Sequence, residues 1–147
     1  MRLMPTGTIQ TRRWNDPPLP DEGVRVLVTR YRPRGVAKSD ETWDEWDPDL
    51  GPSVGLHAAA YGKGVLAIPW DTYRVLYLRE MRQRKGNVAA LADRVASGQA
   101  IALLCSSACD RESRCHRSLL KGLIEAEIAR RQGDAAAGAP QPPDAGV

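Results

Sequence analysis

The sequence predicts an α/β protein with a small, mainly parallel sheet of about three to five strands flanked by helices. Short apolar runs at residues 24–29 and 100–104 are typical of strands that are buried on both faces. The order strand, loop, helix recurs along the chain, as expected for a parallel sheet. A length of 147 residues suits one domain of this kind.

The first part of the chain contains two predicted strands. Residues 8–13 alternate mildly and predict a short edge strand. Three prolines make residues 15–23 a loop, and the β-branched run at 24–29 predicts a long buried strand. Pro33 and Gly35 then force a turn, so an arginine-rich bend follows the end of this strand.

The middle of the chain is less clearly patterned. Residues 39–46 suit either a short acidic helix or an irregular segment. The pattern over residues 57–69 does not decide between a helix and a strand, although a short strand at 65–68 is one interpretation. We expect Trp43 and Trp46 to pack against the protein rather than to stack on a ligand.

Three helices are predicted in the second half. The first covers residues 70–84 with Asp71 as its cap, the second begins at an Asn87 cap and stops at Gly98, and the third covers residues 116–131. The apolar residues on their inward faces recur at helical spacing: Tyr73, Leu76, Tyr77, Met81, Val88, Leu91, Ala92, Val95, Leu120, Leu123, Ile124 and Ile128.

The domain is predicted to cover residues 1–132, followed by a disordered tail over 133–147 that is rich in proline, alanine and glycine. No apolar run approaches the roughly 18 residues of a membrane span. The N-terminal residues also lack the apolar stretch of a secretory signal. We therefore expect a cytoplasmic protein that does not contact a membrane.

Arginine dominates the basic residues, since 17 of the 21 lysines and arginines are arginine. Its planar guanidinium suits phosphate and carboxylate, although a GC-rich coding bias explains the same excess. Because the carboxyl ends of parallel strands meet at one edge of a sheet, the bend at 30–35 and the loop at 105–117 are expected to lie together. The predicted anion-binding residues are Arg30, Arg34, Arg111 and Arg117.

Three cysteines lie within eleven residues, at Cys105, Cys109 and Cys115. An odd, clustered set without a signal peptide indicates a reducing compartment and a reactive, metal-binding or redox site. Cys115 precedes His116 at the start of a helix, where the helix dipole and nearby cations should depress the thiol pKa. Cys115 and His116 are therefore candidates for nucleophile and proton carrier. The alternative for Cys115 is a small buried residue.

Other interpretations of the same loop stay open. Cys105 to Arg111 fits the Cys-x5-Arg spacing of cysteine phosphatases and sulfurtransferases, which makes Cys105 a further candidate nucleophile. Cys105 and Cys115 are also positioned to form a reversible disulfide. The three cysteines and His116 offer four metal ligands, but their spacing is not that of zinc knuckles, and adjacent ligands reach one tetrahedral ion with difficulty. We expect no cofactor, with zinc as the alternative.

Four blocks of the chain carry a family resemblance. They are the strand and Pro-Arg-Gly turn at 24–35, the Asp-Glu-Trp block at 44–53, the helix at 73–81, and the pair Leu103-Leu104-Cys105 and Cys115-His116-Arg117. These blocks resemble the YeaO-like proteins, which form domain-of-unknown-function family 488. The resemblance covers residues 8–130 and implies a compact bacterial α/β domain without an established activity. Thr29 replaces an aspartate usual in the first block, and Cys109 is an addition to the family pattern.

Three functions are compatible with these residues. The leading hypothesis is a Cys/His/Arg pocket that binds or acts on a phosphate-bearing ligand, either a nucleotide or a nucleic acid. The second is a thiol redox or metal-binding protein that uses Cys105, Cys109 and Cys115. The third is a non-catalytic nucleic-acid-binding module, supported by the net charge but not by interleaved aromatic residues. Whether the protein turns over a substrate is left open.

Overall fold

A four-stranded, all-parallel sheet forms the centre of the protein, which confirms the predicted fold class. Its strands are β1 (Ile9–Arg13), β2 (Val24–Leu27), β3 (Glu45–Trp46) and β4 (Ile101–Cys105), in the spatial order β1-β4-β2-β3. This computed structural model describes residues 6–62, 66–107, 109 and 111–137.

Strand β4 lies inside the sheet, between β1 and β2. Ile101 is in register with Ile9 on one side and with Val24 on the other, and all five residues of β4 are buried. A strand with neighbours on both sides and packing on both faces needs a continuous apolar sequence, which β4 has. The last residue of this strand, Cys105, is paired with Arg13 at the carboxyl edge of the sheet.

Four helices complete the described part of the fold: α1 (Val54–Tyr61), α2 (Trp70–Met81), α3 (Lys85–Ala96) and α4 (His116–Ala137). They share one core with the sheet, because strand and helix residues belong to the same buried cluster. The fully buried members of this cluster are Val26, Val28, Leu50, Tyr77, Ala92, Val95, Ile101, Leu103, Leu120 and Ile124.

The other face of the sheet is covered by loops. Leu27, Ala102 and Leu104 form a second buried cluster with Trp43, against which Trp14 packs edge-on at 6.1 Å between ring centroids. Trp43 therefore packs into the protein as expected. Alternation along β4 divides its side chains between this cluster and the helical core.

The middle of the chain contains a helix that the sequence pattern did not identify. α1 occupies part of the undecided segment, with the Ser53 side chain accepting a hydrogen bond from the Leu56 amide at its start. Residues 66–68 are not a strand, and Val65 lies outside the described residues. The helical interpretation of residues 39–46 is wrong, because this segment holds a short 3₁₀ turn and then β3.

Two predicted helix caps are wrong. Pro69 is the residue before α2, while Asp71 lies in the first turn of that helix. α3 begins at Lys85, so Asn87 lies inside the helix, where its side-chain amide donates to a carboxylate oxygen of Asp47 at 3.3 Å. A contact distant in sequence thus replaces the local capping bond that the sequence suggested.

The C-terminal boundaries of the last two helices also bear on the predictions. Gly98 follows α3 with a φ of 102°, a conformation that favours glycine, so the predicted stop is confirmed. α4 continues to Ala137, beyond the predicted end and past Gly133, where the tail was expected to begin. Residues 138–147 of that tail lie outside the described residues. Among the described helices, none is both long and apolar enough to cross a membrane.

A buried ion pair fixes the loop before β2. Glu22 and Arg25 are 1% and 4% exposed, and the Arg25 guanidinium donates to the Glu22 carboxylate. Arg25 also donates to the backbone carbonyls of Asp16, at 2.9 Å, and of Trp14, at 3.3 Å. One side chain therefore ties the proline-rich loop to the sheet.

Replacing Arg25 with methionine should lower the free energy of unfolding by about 3–5 kcal/mol, because the buried Glu22 carboxylate then loses its hydrogen-bonded partner and keeps only Arg12, at 3.9 Å. Urea denaturation measures this change. The double variant Glu22→Gln/Arg25→Met removes both charges and should recover part of the loss. If Arg25→Met costs less than about 1 kcal/mol, the pair does not hold the loop.

Candidate functional site

Three cysteines converge beyond the carboxyl end of β4, and we refer to Cys105, Cys109 and Cys115 as the cysteine cluster. Cys105 ends the strand, Cys109 lies in the following loop, and Cys115 directly precedes α4. Their Sγ atoms all lie within 4.8 Å of one another. The Cys105 Sγ is 3.2 Å from that of Cys109 and 3.1 Å from that of Cys115, and all three are free thiols.

His116 completes this group from the first turn of α4. Its ring is 6% exposed, and Nε2 lies 2.6 Å from the Val28 carbonyl oxygen at the end of β2. Because a carbonyl only accepts hydrogen bonds, Nε2 carries a proton and donates it. Nδ1 therefore faces the sulfurs, at 3.8 Å from the Cys105 Sγ and 4.0 Å from the Cys115 Sγ.

The pKa values of the three cysteines differ, and that of Cys109 is the lowered one. Hydrogen bonding from Cys105, with a further contribution from Cys115, lowers the pKa of Cys109 to about 3. Hydrogen bonding to Cys109 raises the pKa of Cys105 to about 12. Hydrogen bonding to Cys105, together with burial, raises the pKa of Cys115, so the predicted pKa depression at Cys115 is wrong.

The cysteine cluster also affects the pKa of His116. Burial alone would lower the pKa of its imidazole, but the neighbouring sulfur of Cys115 and the Val28 carbonyl together raise that pKa above its ordinary value. In the metal-free protein the ring therefore retains its proton more readily than a free histidine.

Arg117 is buried below the loop, with 4% exposure. Its Nη2 donates to the Cys109 carbonyl at 3.3 Å, whereas Nε and Nη1 have no hydrogen-bond partner. The guanidinium also lowers the pKa of Cys109 through its positive charge. A buried cation without a carboxylate within salt-bridge distance among the described residues needs another source of negative charge, and the cysteine cluster is adjacent.

A small cavity opens on the cysteine cluster, and we call it the inner cavity. It holds about 260 Å³. Cys109, Cys115, His116 and Arg114 line it. The remaining residues around it are largely aromatic or apolar: Pro52, His57, Ala60, Tyr61, Ile68, Trp70 and Tyr73.

A larger cavity of about 730 Å³, the outer cavity, lies beside the first. Arg30 and Arg34 line it together with Ser106 and Ser107, which directly follow the last strand. The arginine-rich bend and the cysteine loop thus meet at one edge of the sheet, as expected. Arg111 is exposed and lines neither cavity, and the buried Arg117 also lines neither, so the structure brings together only Arg30 and Arg34 of the four predicted anion-binding residues.

Tyr61 was missed by the sequence analysis, and His57, which could serve as a general base, was expected to be an ordinary surface or packing residue. His57 and Tyr61, both on α1, line both cavities and separate them. Their rings lie 4.7 Å apart, and Tyr31 contacts the His57 ring edge-on at 5.0 Å. The helix α1 is rich in alanine and has no clear apolar stripe, so its sequence gave no signal for this position.

The chain matches the family profile DUF488-N3a, described as the active DUF488-N3 subclade, over residues 9–128. It is 38% identical over 99 residues to the uncharacterised protein YeaO of Escherichia coli (strain K12), an alignment that covers 67% of this chain and 83% of YeaO. No solved structure matches the chain.

The metal-free, reduced protein should react with iodoacetamide first at Cys109. With a pKa of about 3, this thiol is deprotonated throughout the neutral range, so its alkylation rate should stay nearly constant from about pH 8 to 5. The rate for an ordinary thiol falls tenfold per pH unit below about 8.5. Peptide mapping by mass spectrometry gives the rate at each cysteine.

The same reaction in urea is the control, because unfolding should make the three cysteines react alike. A tenfold decrease per pH unit at Cys109 in the folded protein would contradict the assignment of the thiolate. Faster reaction at Cys115 would contradict it as well.

Proposed function

We propose that in this chain, which belongs to the DUF488 family, the cysteine cluster and His116 bind a zinc ion. The relative that the chain matches is uncharacterised, so the proposal is argued from the residues of this chain. The observation that supports this proposal is that three Sγ atoms lie within 4.8 Å of one another, with His116 Nδ1 at 3.8 and 4.0 Å from two of them. Sites with three thiolates and one histidine, arranged as a tetrahedron, are typical of zinc.

The distances are close to those that zinc requires. Zinc–sulfur bonds of about 2.3 Å and zinc–nitrogen bonds of about 2.0 Å place tetrahedral ligand atoms about 3.6–3.8 Å apart. His116 Nδ1 is already at 3.8 and 4.0 Å from two of the sulfurs. The adjacent positions of Cys115 and His116 are therefore no obstacle to binding one ion. The sulfurs, at 3.1 and 3.2 Å, need to separate by about 0.6 Å.

The surroundings of the proposed ion supply what a metal-binding histidine needs. Its second nitrogen donates to a backbone carbonyl, here that of Val28, which fixes the ring and keeps Nδ1 available as a ligand. Three thiolates, one neutral imidazole and Zn²⁺ sum to one negative charge. The buried guanidinium of Arg117 lies close enough to the cluster to balance that charge.

Two other functions of the cluster have less support. A disulfide would join only two of the three sulfurs and would leave the third sulfur and His116 Nδ1 unused, whereas a metal ion can engage all of them. A nucleophilic cysteine needs a cation that faces its substrate; the predicted residue for this role, Arg117, lines neither cavity, and Arg114 is the arginine that lines the inner one. The charge of Arg117 therefore acts on the sulfurs and not on a ligand in the cavities.

Protein purified from cells should contain about one zinc ion per chain, measured by elemental mass spectrometry. Cys109→Ser and His116→Ala should each reduce the zinc retained after dialysis against a weak chelator by about tenfold or more. Cobalt in place of zinc should give the visible absorption of a tetrahedral, thiolate-bound ion, and Cys109→Ser should change it.

Ser107→Ala is the matched control, because this exposed side chain lies in the same loop and should leave the zinc content unchanged. Purified protein without zinc that also fails to bind added zinc would overturn the proposal. An intact cobalt spectrum in Cys109→Ser would exclude Cys109 as a ligand.

A further inference from the structure

The outer cavity lies where ligands bind in open parallel sheets. Trp14 follows β1, Ser106 follows β4 and Thr29 follows β2, so three neighbouring strands end at this cavity. These are the carboxyl ends of parallel strands, with β4 inserted between β1 and β2. Ligand sites are typical of such positions.

The charge of the outer cavity is positive. Arg30, Arg32 and Arg34 line it, and no aspartate or glutamate does so among the described residues. Arg32 is already paired with Glu41 at 2.7 Å. No described carboxylate lies within salt-bridge distance of Arg30 or Arg34, which leaves two guanidinium groups for an anion.

Arg30 is held in place by its Nε, which donates to the Pro52 carbonyl at 2.8 Å. On its other side lies a groove with Asp49 and Glu80. Those carboxylates are engaged elsewhere, since Glu80 accepts from the Ser53 amide at 2.8 Å and Asp49 is paired with Arg84 at 3.7 Å. The Arg30 guanidinium is therefore positioned but not neutralised.

Exposed aromatic rings stand beside these arginines. Tyr31 is 50% exposed and Tyr61 is 51% exposed, and His57 lies between them in ring contact with both. All three residues line the outer cavity. Exposed aromatic faces next to cations are a typical arrangement for recognising a phosphate that is attached to a flat base.

From these observations we propose that the outer cavity binds a nucleoside monophosphate, with its phosphate on Arg30 and Arg34 and its base stacked on Tyr31. A volume of about 730 Å³ is within the usual range for small-molecule sites. The two guanidinium groups supply charge-assisted hydrogen bonds to the phosphate oxygens. This inference goes beyond the zinc site and does not require it, because no cysteine lines the outer cavity.

Isothermal titration of the full chain with adenosine 5′-monophosphate, adenosine and inorganic phosphate tests the proposal. The monophosphate should bind, and both fragments should bind at least about tenfold more weakly, because each retains one part of the contacts. Arg34→Ala and Arg30→Ala should each weaken binding of the monophosphate by about tenfold or more.

Matched variants distinguish the loss of a contact with the ligand from a general change in net charge. Tyr31→Ala should weaken binding, whereas Tyr31→Phe should retain it, because stacking needs the ring and not the hydroxyl. Arg74→Ala removes an equal charge from an exposed position on α2 and should leave the affinity unchanged. The zinc content of every variant should stay as in the unaltered protein, so the two proposals can fail independently.

Three results would overturn this inference. They are no detectable binding of the monophosphate, equal affinity for the monophosphate and adenosine, and unchanged affinity in both Arg30→Ala and Arg34→Ala. Loss of binding in Arg74→Ala to the same extent as in Arg34→Ala would show a response to net charge alone and would also overturn it.

Discussion

The pairing of β4 with β1 on one side and with β2 on the other determines the position of every group at the functional edge. Because β4 ends at Cys105, this pairing places the first sulfur of the cluster beside the end of β2. His116 then reaches the Val28 carbonyl across the same pair of strands. Val28 and His116 are 88 positions apart in the chain. The insertion of β4 into the sheet brings them together, and one hydrogen bond joins them.

The sequence was informative where burial on both faces dictates residue type. Strands β2 and β4 could be predicted because a strand covered on both sides leaves little choice but aliphatic residues. α4 was predicted for a related reason. One face of this helix is buried, so apolar residues such as Leu120 and Ile124 recur at helical spacing. The meeting of the two loops followed from parallel topology, which aligns the carboxyl ends of neighbouring strands.

What the sequence could not indicate depends on the path of loops. The lowest thiol pKa was expected at Cys115 because of its neighbours in the sequence. The order of the three pKa values depends instead on the hydrogen bonds among the sulfurs, in which Cys115 donates to Cys105 and Cys105 donates to Cys109. That order depends on where Cys105, Cys109 and Cys115 lie relative to one another, and the sequence of the loop that joins them has no periodicity from which this could be predicted. The sequence also could not indicate that Arg117 is buried, because an arginine in the first turn of a helix can be either exposed or buried.

The two cavities differ in charge because one loop contributes to both in succession. Ser106 and Ser107 line the outer cavity, whereas Cys109 of the same loop lines the inner one. Cys109, whose pKa is lowered, thus lies near His116 and Arg117, while the outer cavity holds Arg30 and Arg34; His57 and Tyr61 line both cavities. Without that separation, a thiolate in the outer cavity would neutralise a guanidinium there, since unit charges a few ångströms apart interact strongly in a partly buried site. The aromatic rings between the cavities therefore allow an anion and a group of cations to lie at one edge of the sheet without pairing.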